Sequence, residues 1–164
     1  MLGVGVLAGA IGLNWGHAFR RAFAALPRRD AIFLLLGAAI ICGCFFAVQN
    51  IVYRGVFMLL TLPGLMKLAN SDMPPALRRV VAATLVAVLY VLWNFTLQQV
   101  VYATTGVVLR PITNGPIIAY LYWLSQQLAI WWVVATLLAV LASFALHSTA
   151  VRALFAARRR PSPA

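Results

Sequence analysis

Apolar positions in this chain come in long runs, not in the stripes of an amphipathic surface helix. Five runs stand out, at about 1–19, 31–48, 52–68, 80–102 and 118–146, and the stretches between them collect arginine, proline and polar residues. A helix needs about 20 mostly apolar residues to cross the hydrocarbon core of a bilayer. The run 31–48 (AIFLLLGAAIICGCFFAV) and the run 80–102 carry no charge and each predicts one crossing. The run 118–146 exceeds one crossing, so the pattern predicts a tilted helix or first turns lying in the interface. Its aromatic residues Tyr120, Tyr122, Trp123, Trp131 and Trp132 suit a belt at headgroup level.

The other two runs are less regular. The first begins MLGVGVLAGAIGL, short for a full span unless it continues toward Phe19, and its Gly5 and Gly9 have the spacing that permits close helix contact. It lacks a basic region ahead of it and is followed by arginines, the reverse of a secretory leader. The third run carries Arg54 near its start and Pro63-Gly64 in its second half, which predicts a kinked span or a re-entrant helix. The expected fold class is therefore all-α, a polytopic transmembrane helical bundle of about five segments over residues 1–155. A basic, Pro-ended tail at 156–164 (AARRRPSPA) is expected to be a disordered anchor to anionic lipid.

Composition sharpens this class. Of 164 residues, 64% are hydrophobic and 9% are charged, and the mean hydropathy is +0.96. A soluble domain of this size keeps much of its surface wet, and these residues cannot furnish it. The net charge of +11 invites a nucleic-acid reading, but the arginines flank apolar spans and do not lie among polar residues as on nucleic-acid binders. The bilayer itself is the expected partner, with anionic lipids at the basic loops and no nucleic acid.

Charge also orients the chain. With five crossings, the gap 14–30, the gap 69–79 and the tail beyond 147 share one side, and with Lys67 snorkelling to it that side holds eleven of the thirteen basic residues. Only Arg54 and Arg110 fall on the other. Such a bias predicts a multi-pass protein of the cell's inner (plasma) membrane, N-terminus outside and C-terminus cytoplasmic. Without a crossing at 52–68 the split falls to eight against five.

Few residues suggest chemistry. Asp30 and Asp72 are the two acids; Asp30, before an apolar run, suits a helix N-cap, and Asp72 sits in the loop sequence NSDMPP. They are 42 positions apart and do not make a carboxylate pair. His17 and His147 are isolated, Cys42 and Cys44 fit buried thiols, and no metal-ligand spacing or cofactor-binding glycine motif occurs. No catalytic residue, metal ligand or cofactor is assigned. The informative cluster is Gln49-Asn50-Ile51-Val52-Tyr53-Arg54-Gly55, a carboxamide, a phenol and a guanidinium at an outer bend. An arginine at membrane depth is costly, and a phosphate matches its fork; an arginine snorkelling to headgroups, with Asn50 capping a helix, accounts for the same residues. Asn94 and Gln98 share a helix face, and with Gln126 and Gln127 they suit either interhelical hydrogen bonds or the wall of an outward-open cavity.

The stretch NIVYRGVFMLLTLPGLMKL (50–68), followed by a basic loop, a span and the Trp-rich LSQQLAIWWVV (124–134), resembles bacterial membrane glycosyltransferases of the GT-C, mannosyltransferase-like type. The resemblance implies a transferase using a polyprenyl-phosphate sugar donor on the outer membrane face, in the cell envelope. Arg54 would lie near the donor phosphate, with Asn50 and Tyr53 beside it. Those enzymes carry a catalytic acid in an early outer loop, which has no counterpart here. The resemblance thus implies the C-terminal portion of a hexosyltransferase lacking its acid. The alternative is a small non-enzymatic membrane protein, an accessory subunit of an envelope-polymer export system or a minor transporter.

Overall fold

The computed structural model describes residues 18–19, 21–47, 52–106 and 117–147, and all regular structure among them is helical. The first run is thus represented by residues 18–19 alone; residues 1–17 and the basic tail lie outside the described residues.

Helix α1, Arg28–Ala47, starts directly after Pro27 and carries Asp30 in its first turn, where a carboxylate complements the helix dipole. Asp30 is therefore the third residue of the helix and not its N-cap; that position is held by Pro27, whose carbonyl accepts from the Ala31 N–H at 3.1 Å. A 3-10 helix follows at Val52–Leu60, and after Thr61 the chain continues as α2, Leu62–Ala69. The change falls where Pro63 enters the first turn of α2, a position whose N–H needs no partner within the helix. The expected proline disturbance is thus a change of helix type.

The run expected at 80–102 begins earlier and divides into α3, Pro75–Leu92, and α4, Asn94–Thr105, joined at Trp93. Backbone hydrogen bonds continue through the joint, from Trp93 N to Leu89 O at 2.9 Å and from Leu97 N to Trp93 O at 2.9 Å. Gly106 ends α4 in the left-handed region at φ 69°, its N–H bonded to Tyr102 O at 2.8 Å. Helix α5 runs over Ile117–His147.

Packing places these elements in a four-membered ring. The 52–69 segment lies against α1 and α3, and α5 lies against α1 and α3 on the opposite side. Neighbours are antiparallel. Lys67 reaches Asp30, Thr84 meets Thr136, and Tyr122 meets Asn94. Cys42, at the far end of α1, meets the Val134 carbonyl in mid-α5, while Phe23, before α1, meets Phe144.

The closest approach in the ring uses glycines. A β-carbon on Gly37 would stand 2.7 Å from Thr61 Cγ2, and one on Gly64 would stand 2.8 Å from Leu34 Cβ. With no such carbons, α1 and the 52–69 segment close to backbone range. Leu34, Met58, Leu65 and Leu68 fill the space around that crossing.

Among the described residues, three helices are long and apolar enough to cross a membrane: Arg28–Ala47, Pro75–Leu92 and Ile117–Ala145, with mean hydropathies of 2.3, 1.7 and 2.3. Only 28%, 22% and 39% of their most apolar windows are buried, so most of their hydrophobic surface faces outward. Water would disfavour that surface and a lipid solvent would not, which marks a membrane protein. The 52–69 segment is not a fourth helix of that kind, being split between two helix types. Its reach is nevertheless similar. Nine residues at the 3-10 rise and nine at the α rise cover roughly 31 Å, beside roughly 30 Å for the 20 residues of α1. Helix α5, with 31 residues, is roughly 46 Å long and overhangs the ring together with α4.

Candidate functional site

The ring has two chemically unlike ends. At one lie the start of α1, the end of α2, the start of α3 and the end of α5. Arg28, Arg29, Lys67, Arg78 and Arg79 are all exposed there. Lys67 Nζ sits 2.6 Å from Asp30 Oδ2, with side-chain exposures of 53% and 13%, so the lysine is wet and the carboxylate sheltered. Arg29 stands over the Phe33 ring at 5.5 Å from its centroid. Asp72 is in the loop before α3, so both acids of the sequence belong to this basic end.

The opposite end, where α3 passes into α4 beside the first half of α5, holds an uncharged polar seam. Its centre is the Tyr122 hydroxyl, which donates to Asn94 Oδ1 at 2.7 Å and accepts from Gln126 Nε2 at 3.2 Å. Gln98 Nε2 donates to the same Asn94 oxygen at 3.0 Å. Beside it the Ser125 hydroxyl donates to Tyr122 O at 2.7 Å. That bond uses the single serine proton, so the Tyr90 hydroxyl, 2.7 Å from Ser125 Oγ, is the donor of that pair. The Tyr90 and Tyr122 rings meet edge to face, with centroids 6.3 Å apart.

Helical spacing builds this seam. Tyr90, Asn94 and Gln98 recur every fourth residue along α3 and α4, and Tyr122, Ser125 and Gln126 share one face of α5. Of the carboxamides singled out on these helices, Asn94, Gln98 and Gln126 join the seam around Tyr122. Gln127 is half-buried beside them and makes no hydrogen bond to the seam. Sequence reasoning missed Tyr90, Tyr122 and Ser125, although their spacing to the carboxamides was there to be read. Unspent capacity remains on Asn94 Nδ2, Gln98 Oε1 and Gln126 Oε1, so the seam can take both a donor and an acceptor.

A second polar knot lies deeper. Thr84 and Thr136 are fully buried with hydroxyl oxygens 3.2 Å apart, and Trp132 Nε1 donates to Thr84 Oγ1 at 3.1 Å. Thr84 gives its own proton to Val80 O at 2.8 Å. This knot ties α3 to α5 and offers nothing outward.

Of the cluster around Arg54, Asn50 lies outside the described residues, as do the side chains of Tyr53 and Arg54. Their backbone is placed. Residues 53 and 54 occupy the first turn of the 3-10 helix, the end of the 52–69 segment opposite Lys67. Cys42 and Cys44 are free thiols, the former buried. No protein-family model, curated protein sequence or solved structure matches the chain.

Proposed function

We propose that this chain is a multi-pass membrane protein that holds the polar headgroup of a lipid-linked molecule at its cation-poor end. The observation that carries the proposal is the pairing of ends. Position 54 and the Asn94–Tyr122–Gln126 seam share the end remote from Lys67, Arg78 and Arg79. The guanidinium of Arg54 supplies charge for a phosphate, and carboxamides and phenols supply neutral donors and acceptors. The exposed apolar faces of α4 and α5 give an attached acyl or prenyl chain a surface to lie along.

In this reading the 52–69 segment crosses the bilayer, since its reach equals that of α1. The basic end faces the cytoplasm and anionic lipid, and the seam faces outside. The role is binding without chemistry, because both carboxylates of the sequence sit at the basic end and Asp30 is engaged by Lys67. An accessory subunit of an envelope-polymer system, or a small transporter, fits that role. The glycosyltransferase reading is the second. What favours it is that position 54, its phosphate-contacting residue, falls at the end where an outer donor would sit; the acid it needs is not at that end of this chain.

The test is lipid retention in phosphatidylcholine nanodiscs loaded with a long-chain polyprenyl phosphate and read by native mass spectrometry. Wild type should keep the lipid, and Arg54→Ala and Asn94→Leu should each lower retention about tenfold, the loss of roughly one charge-assisted contact. Retention equal in all three proteins rejects the headgroup reading. Glycosyl transfer to an acceptor by the wild-type chain would replace it with the second.

A further inference from the structure

We propose that the basic end of the ring holds anionic phospholipid at two places, headed by Arg29 on α1 and Arg79 on α3, and that a third such place, at Lys67 on α2, is closed by Asp30. The inference rests on the membrane-protein reading and not on headgroup binding at the polar seam.

Each place joins a cation to an exposed apolar stripe. On α1, Arg29 shares a helix face with Ile32, Leu36 and Gly43, all exposed. On α3, Arg79 shares a face with Ala83, Val86 and Trp93, also exposed. Fourteen residues separate the cation from the last member of each stripe, about 21 Å of helix. One leaflet of hydrocarbon is about 15 Å deep, so an acyl chain can lie along helix for its whole length. A β-carbon on Gly43 would meet nothing within 4 Å, so the α1 stripe is open at its deep end. The Arg29 guanidinium stands over the Phe33 ring, 5.5 Å from its centroid, one turn along the helix. It is thus held along the side of α1, where headgroup meets chain.

Nothing within the protein claims these two charges. Among the described residues, Lys67 and Asp30 make the one ion pair. Asp72, exposed before α3, pairs with none of the arginines. A soluble anion would satisfy the charges alone. An amphiphile carrying a phosphate meets both parts of each place, because the guanidinium fork matches phosphate oxygens and the chain lies on the stripe below.

The α2 place has the same layout, with Lys67 beside exposed Leu59, Pro63 and Met66. Its charge differs. Asp30 Oδ2 stands 2.6 Å from Lys67 Nζ, so a phosphate arriving there meets a carboxylate as well as an ammonium. The two contributions oppose each other, and the attraction falls toward that of a neutral surface.

The experiment titrates the full chain in detergent with dioleoyl phosphatidylglycerol or dioleoyl phosphatidylcholine and counts bound lipid by native mass spectrometry. Wild type should bind phosphatidylglycerol about fivefold more tightly, the effect of one cation near a lipid surface. Arg29→Gln combined with Arg79→Gln should lose that preference while its phosphatidylcholine affinity stays at the wild-type value. Arg29→Lys combined with Arg79→Lys, which keeps the charges, should keep it. Asp30→Asn should hold one phosphatidylglycerol more than wild type. Equal affinity for the two lipids in wild type overturns the proposal, and so does an undiminished preference in the glutamine variant. Loss of the preference in the lysine variant overturns the account by charge. An unchanged lipid count in Asp30→Asn overturns the closing of the third place. Displacement of phosphatidylglycerol by excess inorganic phosphate overturns the lipid assignment and leaves a site for the free anion.

Discussion

Replacing Gly64 with alanine adds one methyl group at the narrowest point of the ring. That carbon would stand 2.8 Å from Leu34 Cβ, 3.1 Å from the Asp30 carbonyl oxygen and 3.1 Å from Leu34 Cδ2. Carbon atoms rest at about 3.5–4.0 Å, so α1 and α2 must separate by close to an ångström or Leu34 must leave its place. Leu34 is fully buried, and its Cβ is fixed by the backbone of α1, so rotation of the side chain relieves only the Cδ2 contact. Overpacking of this kind costs about 1–3 kcal/mol. Gly43 and Gly55 provide the control, since a β-carbon there meets nothing within 4 Å. The measurement is reversible unfolding in mixed detergent micelles, followed by tryptophan fluorescence. Gly64→Ala should lower stability by about 1–3 kcal/mol while Gly43→Ala stays within about 0.5 kcal/mol of wild type. Equal stability of the two variants would refute the close crossing. Because Gly37 serves the same contact, Gly37→Ala combined with Gly64→Ala should fall short of the sum of the single losses.

Three further outcomes follow from the same geometry. Thr84→Val leaves the Trp132 N–H without its acceptor and should cost about 0.6–1.7 kcal/mol in the same unfolding assay, the range of interhelical hydrogen bonds in membranes. Tyr122→Phe removes the link between Asn94 and Gln126, so a double-mutant cycle of Tyr122→Phe with Asn94→Ala should show coupling of about 0.5–1.5 kcal/mol, against none for Tyr122→Phe with Gln127→Ala. Asp30→Asn should change stability by no more than about 1 kcal/mol, because Lys67 is more than half exposed and water screens the pair.

The apolar runs made the helices legible, since a stretch without charge has few alternatives in a bilayer. Helix ends were less so. Pro75 and Arg78-Arg79 looked like a loop flanking the run from 80, yet α3 starts at the proline, because the first turn of a helix neither needs its missing N–H nor must be apolar at a membrane edge. The break at Trp93 left no mark in composition. The 3-10 segment was invisible for a different reason: its sequence VYRGVFMLL reads as any short apolar helix. In the seam, the i, i+4 pair Asn94 and Gln98 could be read, but its partner depended on the register of α5 against α3, which pairing across 28 residues decides.

The overhang of α4 and α5 bears on where such a protein can reside. No residue of α4 is buried, and the α5 turns beside it are mostly exposed and apolar. A thicker bilayer could therefore wet more of these two helices with lipid without disturbing the ring. A thinner one would push Trp93, Tyr120 and Trp123 toward water, where their rings lose contact with headgroups. Mismatch of a fraction of a kcal/mol per ångström then acts on the overhang alone, and favours sterol-rich or long-chain membranes over thin ones.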